Sequence, residues 1–164
     1  MLCRAMSRPT PELYESALRV LGYLYRTRAL GLRYDASGRD LSGMSDSDWA
    51  VRHSTSGFVF SMGSACISWA SKKQASVALS SCEAEIMAAS EAAKEAVHLG
   101  AFMSEVDEKL ESALELKVDN KAAIDLAYNP EHHQRTKHIE RRHFFSSGRW
   151  LNLGASSCLS LLPL

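Results

Sequence analysis

The sequence predicts an α/β domain whose β-sheet mixes antiparallel and parallel neighbours. Two β-rich runs joined by a short turn predict a hairpin, a long helical pattern follows them, and an alternating apolar run then predicts a further strand. The resulting order of strand, hairpin, helix, strand and helix is typical of this class.

The length of 164 residues favours one domain, with room for an appended fragment, and the 46% of apolar residues can form a core. A formal net charge of zero does not decide whether the protein binds nucleic acid, because binding depends on where the charge lies. The cysteines form no CxxC pair, so we expect free thiols in a reducing intracellular compartment, either cytoplasmic or nuclear. They are Cys3, Cys66, Cys82 and Cys158. No apolar run approaches the roughly 20 residues of a membrane helix, and the first residues are too polar for a secretory signal.

The first predicted element is a helix over residues 10–27. Thr10 suits the N-cap, and Pro11 suits the first helical position, where the missing N–H would have no partner in any case. One apolar stripe runs along this helix at helical spacing, through Leu13, Ala17, Leu21 and Leu24. A short extended piece and a turn follow.

The sheet elements begin at residue 41. The run "LSGMSDSDWA" predicts a strand that ends in acidic residues, and the next two runs, Phe58–Ser61 and Cys66–Trp69, predict a hairpin that turns at Gly63-Ser64. A long helix is predicted over about Ser81–Val106, followed by a strand that ends near Asp119.

The remaining chain changes in character. A short helix after Asp119 is predicted to stop at Asn129-Pro130, and a basic, histidine-rich segment follows it. The final residues, "LNLGASSCLSLLPL", are small and apolar without a clear period, so no element is predicted there.

The long helix carries two glutamates that cannot share one role, because positions two apart point to different sides of a helix. Glu83 lies three residues after Ser80 and completes a capping box. Glu85 lies on the side that should pack on the sheet, which continues through Ala88, Ala89, Ala92, Ala96, Leu99 and Met103. A buried carboxylate is costly unless it is paired or bound to a metal, so Glu85 is the candidate functional residue, although a partly exposed first turn would also explain it.

Other acids stand where strands should end. Asp46 and Asp48 close the first strand, where hydrogen bonding within a turn would also explain them, and Asp119 closes a later strand, where it could equally be an N-cap. If these ends meet at one edge of the sheet beside Glu85, the carboxylates repel one another and a divalent cation would relieve the repulsion. Oxygen ligands of this kind suit Mg²⁺ or Mn²⁺.

The blocks "SDSDWA", "STSG", "SWASKKQ", "ALSSCEAE", "DNKAAI" and "RTKHI" together resemble, in the same order, the ribonuclease H domain of copia-type retrotransposon Pol polyproteins. The resemblance covers about residues 41–145. The segment "RPTPELYESALRVLGYLYRTRALGLRY" resembles the end of the reverse transcriptase region that precedes this domain. These matches imply three parts: residues 1–38 as a remnant of the reverse transcriptase, 39–145 as the ribonuclease H-like domain, and 146–164 as an atypical tail.

The resemblance implies a ribonuclease H-like mixed β-sheet flanked by helices, and hydrolysis of the RNA strand of RNA–DNA hybrids with two Mg²⁺ (or Mn²⁺) ions. Carried over by motif, Asp46, Glu85 and Asp119 are the catalytic and metal-binding acids, with Asp48 as the alternative in the first strand. The implied partners are an RNA–DNA hybrid and the reverse transcriptase portion of the same polyprotein, with no membrane.

The chain departs from the family pattern at its end. The family continues into a last strand and a segment of the type "LAD…TK", which supplies a fourth acid, whereas no acidic residue follows Glu140 here. We therefore expect the last strand and helix to be missing or degenerate, which would leave a strand edge exposed. The alternative function is that of a degenerate, non-catalytic fragment that at most binds nucleic acid.

Basic residues offer contacts for the phosphates of a hybrid, although each could equally belong to an ordinary solvated surface. The candidates are Lys72, Lys73, Arg135 and Lys137. A zinc site is not favoured, because the spacing of the nearby histidines matches no familiar ligand set: His132, His133, His138 and His143. Trp49 and Trp69 are expected in the core rather than stacked on bases.

Overall fold

The computed structural model describes residues 6–35, 38, 40–50, 52–106, 114–121, 124, 150–151 and 158–161. The helices are α1, Pro11–Thr27, and α2, Ser81–Glu105. The strands are β1, Leu41–Asp48; β2, Thr55–Met62; β3, Ala65–Lys73; β4, Leu114–Val118; β5, Trp150–Leu151; and β6, Cys158–Leu161. The chain divides into two compact units, Met1–Arg33 and Tyr34–Leu164.

Helix α1 belongs to the first unit and confirms the predicted element. The Leu13 N–H donates to Thr10 Oγ1 at 3.4 Å, and Pro11 occupies the first turn. None of its side chains is buried, and Leu21 and Leu24 of the predicted apolar stripe are both more than half exposed. The periodicity therefore predicted the helix correctly, but the stripe is not part of a core.

The second unit contains a mixed sheet in the order β3-β2-β1-β4-β6-β5. Strand β1 pairs antiparallel with β2 and parallel with β4, and β2 pairs antiparallel with β3. The predicted α/β class and mixed sheet are thus confirmed. Helix α2 lies between β1 and β4 in the chain and supplies the long connection that a parallel pair requires.

The predicted hairpin turns at Gly63, whose φ of +57° lies in the left-handed region that favours glycine. The strands on either side, β2 and β3, extend beyond the runs predicted from sequence, because their polar ends continue the ladder from Thr55↔Lys73 to Met62↔Ala65.

One face of the sheet packs against α2. Leu41, Gly43 and Ser45 of β1 alternate toward this buried face, and Gly43 lies opposite Phe60, which is fully buried. A Cβ atom at residue 43 would overlap the Phe60 ring, so glycine leaves room for the ring against the strand. The core also contains the buried alanines on the predicted side of α2 together with side chains of β4: Ala89, Ala92, Ala96, Leu114, Leu116 and Val118.

The C-terminal tail differs from the sequence-based expectation. We expected the outer edge of β4 to be exposed, but β6 pairs antiparallel with it, with Leu116 opposite Leu159. Strand β5 pairs in turn with β6. Residues of the atypical tail therefore add two short strands to the sheet.

Several sequence-based expectations lie outside the described residues. These are the helix stop at Asn129-Pro130, the histidine-rich segment with Arg135 and Lys137, and Cys3. Within the described part, Cys66 and Cys82 are free thiols, as predicted. Among the described helices, none is long and apolar enough to cross a bilayer.

Candidate metal centre

Asp46 and Asp119 stand at the ends of neighbouring parallel strands. The register pairs Ser45 of β1 with Val118 of β4, so the next residue of each strand is one of the two acids. Because the carboxyl ends of parallel strands lie at the same edge of a sheet, both exposed carboxylates are brought to one place. This convergence was predicted from the positions of the acids at strand ends.

The N-cap explanation for Asp119 does not apply. The helix after β4 begins at Lys121, so the residue before it is the N-cap, and the Ile124 N–H donates to the carbonyl oxygen of that residue, Asn120, at 3.1 Å. Asn120 therefore occupies the capping position, one residue beyond Asp119.

The start of helix α2 confirms the N-cap half of the predicted capping box. The N–H of Glu83 donates to Ser80 Oγ at 3.1 Å, and Glu83 Oε2 accepts from the N–H of Leu79 at 2.7 Å. The carboxylate thus also bonds the residue before the N-cap. Glu83 is 8% exposed and Glu85 is 7% exposed, so burial does not distinguish the two glutamates and their hydrogen bonds do.

Glu85 points from α2 toward the end of β1. Its Oε1 accepts from the hydroxyl of Ser47 at 2.7 Å and from the Ser47 N–H at 3.2 Å. Its Oε2 is buried and has no hydrogen-bond partner among the described residues. Sequence reasoning selected Glu85 but missed Ser47; the alternation of β1 was the available signal, since it places Ser45 and Ser47 on the same side of the strand.

The three carboxylates converge. Asp46, Glu85 and Asp119 each offer one oxygen, and these atoms all lie within 4.8 Å of one another. Burial raises the pKa of Glu85, and the nearby charges of Asp119 and Asp46 raise it further, while the hydrogen bonds from Ser47 oppose the rise. The site is therefore an arrangement of like charges that a cation would stabilise.

The donor set fits a hard divalent cation. Mg²⁺ binds oxygen atoms at about 2.0–2.1 Å, so two ligands of one ion lie up to about 4 Å apart. The observed limit of 4.8 Å lies within a small side-chain rotation of that spacing. The buried and unpartnered Glu85 Oε2 also lacks the compensation that a buried charged group needs. These three acids could hold a metal ion.

Asp48, the alternative in the first strand, is not brought into this group. It lies opposite Thr55 of β2, and among the described residues the acids whose oxygens come together are Asp46, Glu85 and Asp119.

Lys72 and Lys73 are exposed at the end of β3. Lys73 lies opposite Thr55, and Thr55 lies opposite Asp48, so this end of β3 is at the same edge of the sheet as the acids. The separation across two strands is about 10 Å. Arg135, Lys137 and the four histidines of the predicted basic segment lie outside the described residues.

The expectation that both tryptophans lie in the core was wrong. Trp69 is 62% exposed and Trp49 is 49% exposed, and the indole Nε1 of Trp49 donates to the carbonyl oxygen of Ala78 at 3.3 Å. The register Met44↔Val59↔Trp69 places Trp69 on the sheet face opposite α2, where all three side chains of this row are exposed.

The chain is similar to several known proteins. It is 47% identical over 104 residues to the secreted RxLR effector protein 161 of Plasmopara viticola, which is 60% of this chain and 73% of that protein. It is 36% identical over 147 residues to the retrovirus-related Pol polyprotein from transposon TNT 1-94 of Nicotiana tabacum, and 35% identical over 144 residues to that from transposon RE1 of Arabidopsis thaliana.

The two Pol alignments cover 87% and 84% of this chain but only 11% and 10% of the polyproteins. The chain therefore spans about a tenth of the length of these relatives. No protein-family model matches the chain. No solved structure matches it either.

Proposed function

We propose that this chain, which is similar over most of its length to a part of retrotransposon Pol polyproteins, is a ribonuclease H-type nuclease that hydrolyses the RNA strand of RNA–DNA hybrids. The observation that carries the proposal is the convergence of the Asp46, Glu85 and Asp119 carboxylates within 4.8 Å of one another, with Glu85 buried and its Oε2 unpartnered among the described residues.

The positions of the acids support the roles that the proposal gives them. Asp46, Glu85 and Asp119 would hold Mg²⁺ or Mn²⁺ through one oxygen each. Ions held there would supply activation of the attacking water and stabilisation of the leaving oxygen of the phosphodiester. Glu85 is buried and accepts two hydrogen bonds from Ser47, whereas Asp46 and Asp119 are exposed.

The substrate would approach from the exposed side of this edge. Lys72 and Lys73 lie about 10 Å from the end of β1 and would contact phosphates, which gives binding that depends on salt rather than on base sequence. The first unit, with the exposed apolar side chains of α1, would be the remnant of the reverse transcriptase region and would contact the rest of that domain.

The test is cleavage of a labelled RNA–DNA hybrid in Mg²⁺ or Mn²⁺, with single-stranded RNA and duplex DNA as comparison substrates. Glu85→Gln and Asp119→Asn should each abolish cleavage. Asp48→Asn is the matched control, since it removes an acid from the same strand end but outside the group of three, and it should keep the parent rate. Cleavage that survives both Glu85→Gln and Asp119→Asn would reject the proposed site.

A second candidate is a non-catalytic retroelement fragment that binds nucleic acid. The observation that favours it is the absence of any acidic residue after Glu140, because the family pattern has a fourth acid there. Salt-sensitive binding of the hybrid without cleavage, in the parent chain with either metal, would support this candidate over the enzyme.

A further inference from the structure

Ser47 bonds two of the candidate metal ligands at once. Its backbone N–H is 2.8 Å from Asp46 Oδ1 and 3.2 Å from Glu85 Oε1. Its hydroxyl lies 2.7 Å from the same Glu85 oxygen. A single residue of β1 therefore links the acid of the strand to the acid of the helix.

The two oxygens of Glu85 are consequently different. An ionised carboxylate has about four lone-pair positions, shared by its two oxygens. Oε1 uses its positions for the two donors of Ser47, whereas Oε2 is buried with no partner among the described residues. Because Ser47 bonds Oε1, the lone pairs of Oε2 are the ones left for a metal ion.

The neighbouring serine in the sheet does not share this function. Ser56 of β2 lies directly opposite Ser47, but its hydroxyl accepts from Gln74 Nε2 at 2.9 Å, and Gln74 Nε2 also donates to the carbonyl oxygen of Ala84. Ser56 is thus bonded toward Gln74 and provides a matched hydroxyl that can be removed as a control.

We infer that Ser47 is a positioning residue, which holds Glu85 through Oε1 so that Glu85 binds the metal through Oε2 alone. The inference rests on the proposed metal site and adds a residue that lies between the two acids of the "SDSD" motif. Groups that orient a metal ligand from behind typically change metal affinity by about 10- to 100-fold when they are removed. The Ser47 N–H remains in any substitution, so we expect the lower end of that range for loss of the hydroxyl.

The experiment measures Mn²⁺ binding to the full chain by electron paramagnetic resonance of the free ion, with no nucleic acid present. The variants are Ser47→Ala, Ser47→Thr and Ser56→Ala. Ser47→Ala should weaken binding about tenfold. Ser47→Thr keeps a hydroxyl and should restore most of the affinity, and Ser56→Ala should bind as the parent does. Circular dichroism and the urea midpoint of each variant show whether it is folded.

The possible outcomes separate the positioning role of Ser47 from the proposed nuclease activity. If the parent binds Mn²⁺ and Ser47→Ala binds it equally well, the positioning role is overturned while the nuclease proposal stands. If Ser47→Ala and Ser56→Ala weaken binding to the same extent, the effect is general packing and the inference is also overturned. The comparison of Ser47→Ala with Ser56→Ala tests the positioning role even if Ser47→Thr proves unstable. If the folded parent binds no Mn²⁺, both claims fail; if binding follows the expected order but no hybrid is cleaved, only the nuclease activity fails.

Discussion

Glu83 and Glu85 lie two positions apart on helix α2 and are buried to nearly the same extent, yet their carboxylates have different surroundings. Glu83 Oε2 accepts from the Leu79 N–H at 2.7 Å, so its charge is matched to the start of the helix. Glu85 Oε2 has no partner among the described residues, and one oxygen of the Glu85 carboxylate lies within 4.8 Å of an oxygen of each of two further acids. One glutamate therefore stabilises the helix, while the other is a stability cost that a cation would offset.

Because the charged Glu85 carboxylate is buried without compensation, it predicts how the free energy of unfolding depends on pH. The pKa of Glu85 is raised in the folded state, mainly by burial, so the folded protein holds this proton more tightly than the unfolded chain does. The proton on Glu85 therefore contributes to the free energy of unfolding. This contribution is fully present below the ordinary pKa of 4.5 and is lost as the pH rises through the higher folded-state pKa. Glu85→Gln cannot ionise and should remove this loss. Urea unfolding with EDTA present, at several pH values between about 4 and 8, checks the prediction. Equal pH dependence in the parent and in Glu85→Gln would contradict it.

Metal should stabilise the parent chain by mass action. At neutral pH and a free Mg²⁺ or Mn²⁺ concentration about 100 times the dissociation constant, the free energy of unfolding should rise by about 2.7 kcal/mol. Asp119→Asn should show a much smaller gain because it lacks one of the three oxygens. The measurement is urea unfolding with and without the ion, with Asp48→Asn as the control that keeps the parent response. A gain that is the same in Asp119→Asn would place the binding elsewhere.

Gly43→Ala should destabilise the second unit by about 1–3 kcal/mol, because the new methyl group would overlap the Phe60 ring in a packed core. Gly57→Ala is the matched control, since the nearest atoms to a Cβ at that position are 3.9 Å away. Thermal or urea unfolding of both variants compares the loss of stability caused by each substitution. If Gly57→Ala is the more destabilising of the two, the close approach at Gly43 does not limit stability.

Ser80→Ala should cost about 1 kcal/mol, because it removes the hydroxyl that accepts from the Glu83 N–H at the start of α2. Ser81→Ala changes a neighbouring exposed serine that is already within the helix, so it should have little effect. Both are measured by urea unfolding. Since Glu85 lies in the following turn, Ser80→Ala should also weaken Mn²⁺ binding if fraying of this end displaces the carboxylate.

Local sequence patterns were sufficient for the main elements of the fold. The cap at Ser80, the hairpin turn at Gly63 and the alternation before Asp119 depend on neighbouring residues only, and each of these three features was found at or near its expected position. The convergence of Asp46, Glu85 and Asp119 could also be predicted, because strand ends and a helix face already limit where these acids can lie.

Other features depend on pairing between distant parts of the chain. The hydroxyl of Ser47 meets Glu85 only because of how α2 crosses β1, and no pattern near residue 47 specifies that crossing. Trp69 was expected in the core because it is large and apolar, but its exposure depends on what covers its face of the sheet. The pairing of β6 with β4 comes from a tail without a period, so propensity alone could not predict it.

The parallel pairing of β1 with β4 has a consequence for the order of folding. Ser45 and Val118 are far apart in sequence, and the entropy of closing so long a loop must be overcome before their contact contributes stability. The hairpin and the capped turn of α2 are local and can form without this closure, whereas the cation pocket cannot. Bound Mn²⁺ would accordingly act as a spectroscopic reporter of this long-range step. It would distinguish a chain in which β1 and β4 have paired from a species in which only the hairpin and helix are present.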